Sequence, residues 1–454
     1  MARFPIEAAV ALAVVTACAR APLTPSAPAA AQQAARRAPR VDHHQHLLSP
    51  AGAARANRLL PPIELPADFA HLLADRAAHW NDPAALAPLY TEDALARTTE
   101  TLGWIAGRAA VARYLGTRFA APFRLTPVSF RRTTASAEIA GYLTRGEGAD
   151  GKAFAYFLLA VERRADGQWR IAAETPMLPG PTIEEPETAA ELISFLDEAG
   201  IERAVVLSDS YFFDSPNDGQ ADADAKLLTV RAENDWTAEQ VQRFPQRLVA
   251  FCSFNPLEAY ALAELERCAR SGRFKGLKLH FGASRVDLKN PDHVAKVRSV
   301  LEAANRLRLP MIIHVRADAT YGREHARIFL DRLLTAAPDV PITIAHLWGG
   351  EQFSEEALAV YADAVSGGDP RTRNLYFDIA EVAFAISRSP DAPPKVVSRM
   401  RQIGLERILY GSDGPVSESA SPVESWKRTR TLPLTDDEFR ILANNVAPYF
   451  RSSG

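Results

Sequence analysis

Val41-Asp42-His43-His44-Gln45-His46 sets a carboxylate and three imidazoles within six residues. Side chains alternate along an extended strand, so Asp42, His44 and His46 are expected on one face and His43 and Gln45 on the other. Two imidazoles at i and i+2 on a strand end can share one metal ion. His314, His346 and Asp413 each close a short β-rich run, with 32 residues between the first two and 67 between the second and third. Those intervals match about one and two strand–helix units, so a repeating fold would bring all these groups to one end.

From residue 183 onward, β-rich runs alternate with amphipathic helical stretches, an order that builds parallel strands with helices between them. Seven strands are expected: ERAVVLS (202–208), RLVAFCSF (247–254), FKGLKLHF (274–281), PMIIHVR (310–316), PITIAHL (341–347), NLYFDIA (374–380) and ERILYGSD (406–413). The eighth, APRVDHHQH (38–46), lies more than a hundred residues upstream. The expected fold is α/β, a (β/α)8 TIM barrel from residues 40–50 and 183–454, interrupted after its first strand by 51–182. That insertion begins with helical patterns and ends in strand-like runs joined by Asp150-Gly151 and Asp166-Gly167 turns. Within it His71, His79, Asp82 and Asp93 read as helix caps and structural polar groups before pocket residues.

The motifs DHHQH, GLKLHF, IIHVR, TIAHL and LYGSDGP together resemble the amidohydrolase superfamily. The resemblance is to the branch that includes aminocarboxymuconate semialdehyde decarboxylase, aromatic-acid lyases and lactone hydrolases. It implies that His44, His46, His314 and Asp413 hold a divalent metal, and that Asp413 and His346 handle the proton of water. Zn2+ suits three imidazoles and a carboxylate with an open position, with Mn2+ as the alternative. One ion is expected over two; Lys278, if carboxylated, would be the bridge to a second. Arg316 and His280 are candidates for the substrate, Asp378 for orienting a ligand histidine, and Tyr321 and Trp348 for the pocket wall. The insertion resembles the nuclear transport factor 2-like (SnoaL-like) α+β cone, helices followed by a curved antiparallel sheet; it would roof the pocket or pair with a second copy as a homodimer.

Composition narrows the partner. With 52 basic and 55 acidic residues the formal charge is −3, which argues against nucleic acid; the partner expected from the motifs is a small-molecule substrate. Ten apolar residues at 8–17 are too few to span a bilayer but fit a signal-peptide core. They end in Val15-Thr16-Ala17-Cys18, which resembles a bacterial lipobox, so 1–39 reads as leader and tether of an exported, periplasmic or lipid-anchored protein. Cys252 and Cys268 are expected as two buried thiols. The expected activity is metal-dependent hydrolysis of an amide, lactone or small carbonyl compound. Non-hydrolytic decarboxylation or hydration of an unsaturated or aromatic acid is the alternative, and a non-catalytic binding protein the third reading.

Overall fold

A computed structural model describes residues 38–56, 60–97, 103–118, 122–145, 152–177, 186–213, 223–316, 320–350, 352–387, 389–414 and 421–450. The expected signal segment and Cys18 lie outside these described residues.

Among the described residues, fourteen strands are numbered in chain order. Strand β1 is Val41–Gln45, β2 Tyr90–Arg97, β3 Trp104–Ala106, β4 Arg124–Arg132, β5 Ser136–Arg145, β6 Lys152–Arg163 and β7 Trp169–Met177. Then come β8 Arg203–Leu207, β9 Leu248–Ser253, β10 Phe274–His280, β11 Met311–His314, β12 Ile342–Ile344, β13 Leu375–Asp378 and β14 Ile408–Leu409. One sheet runs β1-β8-β9-β10-β11-β12-β13-β14, every neighbouring pair parallel. Its ends meet: His43 N–H donates to the Tyr410 carbonyl at 2.9 Å and Asp413 N–H to the His44 carbonyl at 2.8 Å. With helices between successive strands, this is the expected (β/α)8 barrel.

Strands buried on both faces explain the near-continuous Val, Ile and Leu runs. Val41, Val205, Phe251, Ile312 and Leu409 turn inward, where Ala447 and Phe450 of the C-terminal segment close one end. Val206, Cys252, Leu277, Ile313, Ile342 and Phe377 turn outward into the helix layer.

The second sheet is built from residues between β1 and β8, in the order β3-β2-β7-β6-β5-β4. It covers its own core, including Phe69, Leu86, Leu115, Ile139, Phe157 and Ile171. Strands β4 to β7 form an antiparallel meander, but β2 joins β7 in parallel, where an antiparallel sheet was expected. Asp82 is a cap, accepting from Ala84 N and Ala85 N at 3.0 and 3.1 Å. His71, expected to be structural, lines a surface cavity of about 340 Å³ with Asp68, Asp75 and Arg170.

Two expectations fail in the barrel. The strict alternation along 41–46 is broken by a register shift between Asp42 and Gln45. A bulge inserts an extra residue and re-aims the side chains beyond it. Asp42 therefore meets Gln45, whose Nε2 donates to Asp42 Oδ2 at 3.1 Å, instead of sharing the face of His44 and His46. Cys252 and Cys268 are joined in a disulfide, not left as thiols. Cys252 points outward from β9 and Cys268 lies on the buried side of the helix Ala261–Ser271, with the two Cα atoms 6.3 Å apart, within bridging range.

Candidate metal centre

A cavity of about 210 Å³ at the C-terminal mouth of the barrel is lined by His44, His46, Asp209, Tyr211, Phe212, Lys278, His280, His314, His346 and Asp413. Of the eight residues expected to hold metal, handle the proton or bind substrate, seven meet there, all but Arg316. His44 arrives from β1 and His46 from the position just past it, Lys278 and His280 from β10, and His314 from the last position of β11. His346 and Asp413 come from the turns after β12 and β14.

Both turns are held in backbone that L-residues seldom adopt. His346, Leu347, Glu381 and Asp413 have φ of 54°, 61°, 52° and 61°. Each such non-glycine residue costs on the order of 1–3 kcal/mol and persists where its surroundings dictate it. Here they follow the last three strands of the barrel and aim His346 and Asp413 across the mouth.

Two of the imidazoles, those of His44 and His346, are fixed by what Nδ1 touches. His44 Nδ1 donates to Asp378 Oδ2 at 2.9 Å, and His346 Nδ1 donates to the Ala380 carbonyl at 3.0 Å. Asp378 serves both sides, since its Oδ1 accepts the His346 N–H at 2.9 Å. A carbonyl or carboxylate partner makes Nδ1 the protonated nitrogen and leaves Nε2 as a lone pair. The His44 Nε2 lone pair then lies 3.1 Å from Asp413 Oδ1, itself an acceptor. Two acceptors facing one another at that distance require a cation between or beside them. Lys278 Nζ, 3.0 Å from His44 Nε2, brings one positive group to this place. Ligand atoms of His44, His346 and Asp413 all fall within 4.8 Å of one another, and His46 Nε2 is 3.4 Å from Asp413 Oδ1. With His314 on the wall of the same cavity, these groups offer a donor set that fits a divalent ion.

The electrostatics divide the groups. Burial disfavours the charged form of Asp413, but His44, His46 and His346 outweigh it and hold the carboxyl well below the usual range. Burial, with Lys278, pulls His44 down to about 4, so it is neutral at ordinary pH. His280 and His314, stacked with ring centroids 3.9 Å apart, are also pushed well down by burial and by neighbouring cations. His46 is the exception: burial lowers it, yet Asp209 and Asp413 prevail and push it up to about 9.

Arg316 departs from expectation. Its guanidinium donates to the Gln352 carbonyl at 3.0 Å and to Gln352 Oε1 at 2.8 Å, and it does not line the cavity. Tyr321 and Trp348 are also buried away from it; the Tyr321 hydroxyl pairs with that of Tyr361 at 2.6 Å. The direction taken by a loop side chain after a strand is not encoded in spacing. Asp378 does orient His44, as expected. Asp209, Tyr211 and Phe212 were missed. They sit just past β8 in Ser208-Asp209-Ser210-Tyr211-Phe212, and the strand-end rule that found His314 would have found Asp209.

Comparison with known families adds to the geometry. Residues 129–445, well over half of the chain, match the amidohydrolase family model. The chain belongs to the amidohydrolase family. The match starts inside β4 and leaves out β1, so His44 and His46 are tied to this family member's site by barrel closure. Among solved structures, 5-carboxyvanillate decarboxylase from Sphingomonas paucimobilis is 18% identical, with 55% of this chain and 79% of that one covered at a TM-score of 0.41. A probable 2-pyrone-4,6-dicarboxylic acid hydrolase from Acinetobacter baumannii is 15% identical over 57% and 87%, at 0.38. A chain designated as an NTF2 variant is 14% identical over 24% and 92%, at 0.20. No curated protein matches. As an amidohydrolase-family member, the protein is an enzyme.

Proposed function

We propose that this enzyme hydrolyses an amide, lactone or other small carbonyl compound, with one divalent ion held by His44, His46, His314 and Asp413. The observation that carries the reading is the convergence of ligand atoms from His44, His346 and Asp413 within 4.8 Å of one another, with His46 Nε2 3.4 Å from Asp413 Oδ1. When bound, the ion supplies Lewis acidity, polarising a carbonyl and bringing the pKa of water to about 7. Zn2+ is the first candidate and Mn2+ the second. Asp413, kept ionised by the surrounding imidazoles, takes the proton of the attacking water on its carboxylate, and His346 faces the same space. Tyr211, Phe212 and His280 form one wall, the Tyr211 and Phe212 rings 4.8 and 6.1 Å from that of His280. That wall suits a flat, compact substrate.

Decarboxylation of an unsaturated or aromatic acid is the second reading. Lys278 in the cavity offers a carboxylate a partner, whereas Arg316, turned to Gln352, does not. Screening lactones, amides and aromatic acids with added Zn2+ or Mn2+ separates the two: acid release without carbon dioxide supports hydrolysis, and carbon dioxide supports the second reading. Asp413→Asn should cut kcat on any substrate found by about 100-fold or more with the fold intact. Full activity in that variant removes Asp413 from the mechanism.

The remaining assignments are part of the same proposal. Export, with a lipid at Cys18, is supported by the apolar run at 8–17 and by a disulfide suited to an oxidising compartment. Residues 51–182 are read as an inserted NTF2-like cone, on the order of helices before meander. Tyr156 and Leu158, both exposed on β6, support pairing with a second copy through this sheet.

A further inference from the structure

We infer that Asp209 is the positioning residue of His46, doing for that imidazole what Asp378 does for His44, an inference resting on the metal centre proposed above. Asp209 Oδ1 lies 2.7 Å from His46 Nδ1 as an ion-pair contact, and neither atom makes an aligned hydrogen bond to any group among the described residues. The side chains of His46 and Asp209 are 5% and 10% exposed, so both atoms are withdrawn from water and depend on one another. The opposite nitrogen, His46 Nε2, faces Asp413 Oδ1 at 3.4 Å. A carboxylate on Nδ1 fixes a proton there and points Nε2 toward the centre, so that a metal ion held by Nε2 would displace only the proton on that atom.

Asp209 is itself held from behind. The next residue, Ser210, donates its hydroxyl to the Ser253 carbonyl at the end of β9. Asn234, from the helix Ala223–Gln242, braces the same place: its Nδ2 donates to the Ser253 carbonyl at 2.9 Å and to Glu264 Oε1 at 3.1 Å, and its Oδ1 accepts the Ser253 N–H at 3.0 Å. A supporting shell of buried, mutually satisfied groups is what holds a ligand histidine in place. His44 and His46 are thus oriented by carboxylates that flank β1 on its two sides, Asp378 at the end of β13 and Asp209 just past β8.

The test uses the full-length protein and its Asp209→Ala and Asp209→Asn variants, each checked for an unchanged melting curve. Zn2+ affinity is measured by competition with a chromophoric chelator, and the tautomer of His46 by nitrogen NMR of the imidazoles. Asp209→Ala should weaken Zn2+ binding about 10- to 100-fold and remove the His46 Nδ1–H signal. Asp209→Asn, whose amide oxygen still accepts from Nδ1, should recover most of both. Unchanged Zn2+ affinity in Asp209→Ala, with KM altered instead, would make Asp209 a substrate contact and overturn the inference. If the unaltered protein binds no Zn2+, the metal centre fails, while the His46 nitrogen signal still decides whether Asp209 sets the tautomer; an unchanged signal rejects it. Should Asp209→Ala not fold, the isosteric Asn variant carries the same comparison against Asp209→Leu.

Discussion

Asp378 is fully buried and divides its two oxygens between two histidines, and that division links His44 on the first barrel strand to His346 after the sixth. The neighbouring His43 shows how far one position changes a role. Its Nδ1 donates to the Tyr410 carbonyl at 3.0 Å, and its Nε2 accepts the Ala447 N–H at 3.1 Å. It is a staple between strand and C-terminal segment, with no part in the chemistry. Burial pulls His43 down to about 4 from the ordinary 6.5. Its folded value is depressed, so the unfolded chain takes the proton first as pH falls, and stability is lost between pH 6.5 and 4. The expected share is about 3 kcal/mol, and denaturant midpoints measured across that range should fall less steeply in His43→Gln. Identical pH slopes would show that His43 does not titrate as a buried neutral group. In the sequence His43 and His44 were separable only by alternation. The bulge broke the pattern at Asp42, yet His44 and His46 still reached one cavity.

Among the elements, close packing decides which residues can stand beside the site. Gly411, after β14, is such a place: a Cβ there would lie 2.6 Å from the His44 Cβ and 3.2 Å from the Ala380 Cβ. Gly411→Ala must displace His44, Ala380 or both, which hold opposite ends of the histidine network. The expected outcome is a loss of about 1–3 kcal/mol in stability and weaker metal binding, read by thermal melts and chelator competition. An unchanged metal affinity would mean that His44 is less rigidly placed than its hydrogen bonds imply. The strands were legible because short Val, Ile and Leu runs recur between helical patterns, and strand-end His and Asp residues inherit that legibility. The parallel pairing of β2 with β7 and the Cys252–Cys268 bridge were not, since both depend on how distant elements meet. Arg316 failed for the same reason: its partner, Gln352, is 36 residues away on another loop.

The whole molecule divides its hydrophobic interior. The barrel residues pack in clusters that include no side chain from the second sheet, whose own cluster runs from Phe69 to Ile171. Replacing 51–182 by a short linker should therefore leave a folded barrel that binds metal and is monomeric in light scattering. A barrel that fails to fold would show that the insertion is part of its stability, and an unchanged oligomer would remove the sheet as the contact between copies. What unites the parts is the claim that the barrel mouth is a metal centre, and the metal content of the purified protein tests it most directly. Plasma emission analysis should find about one divalent ion per chain in the unaltered protein and well under half of that in His44→Ala and Asp413→Asn. No stoichiometric ion in the unaltered protein, after exposure to Zn2+ and Mn2+, would contradict that claim.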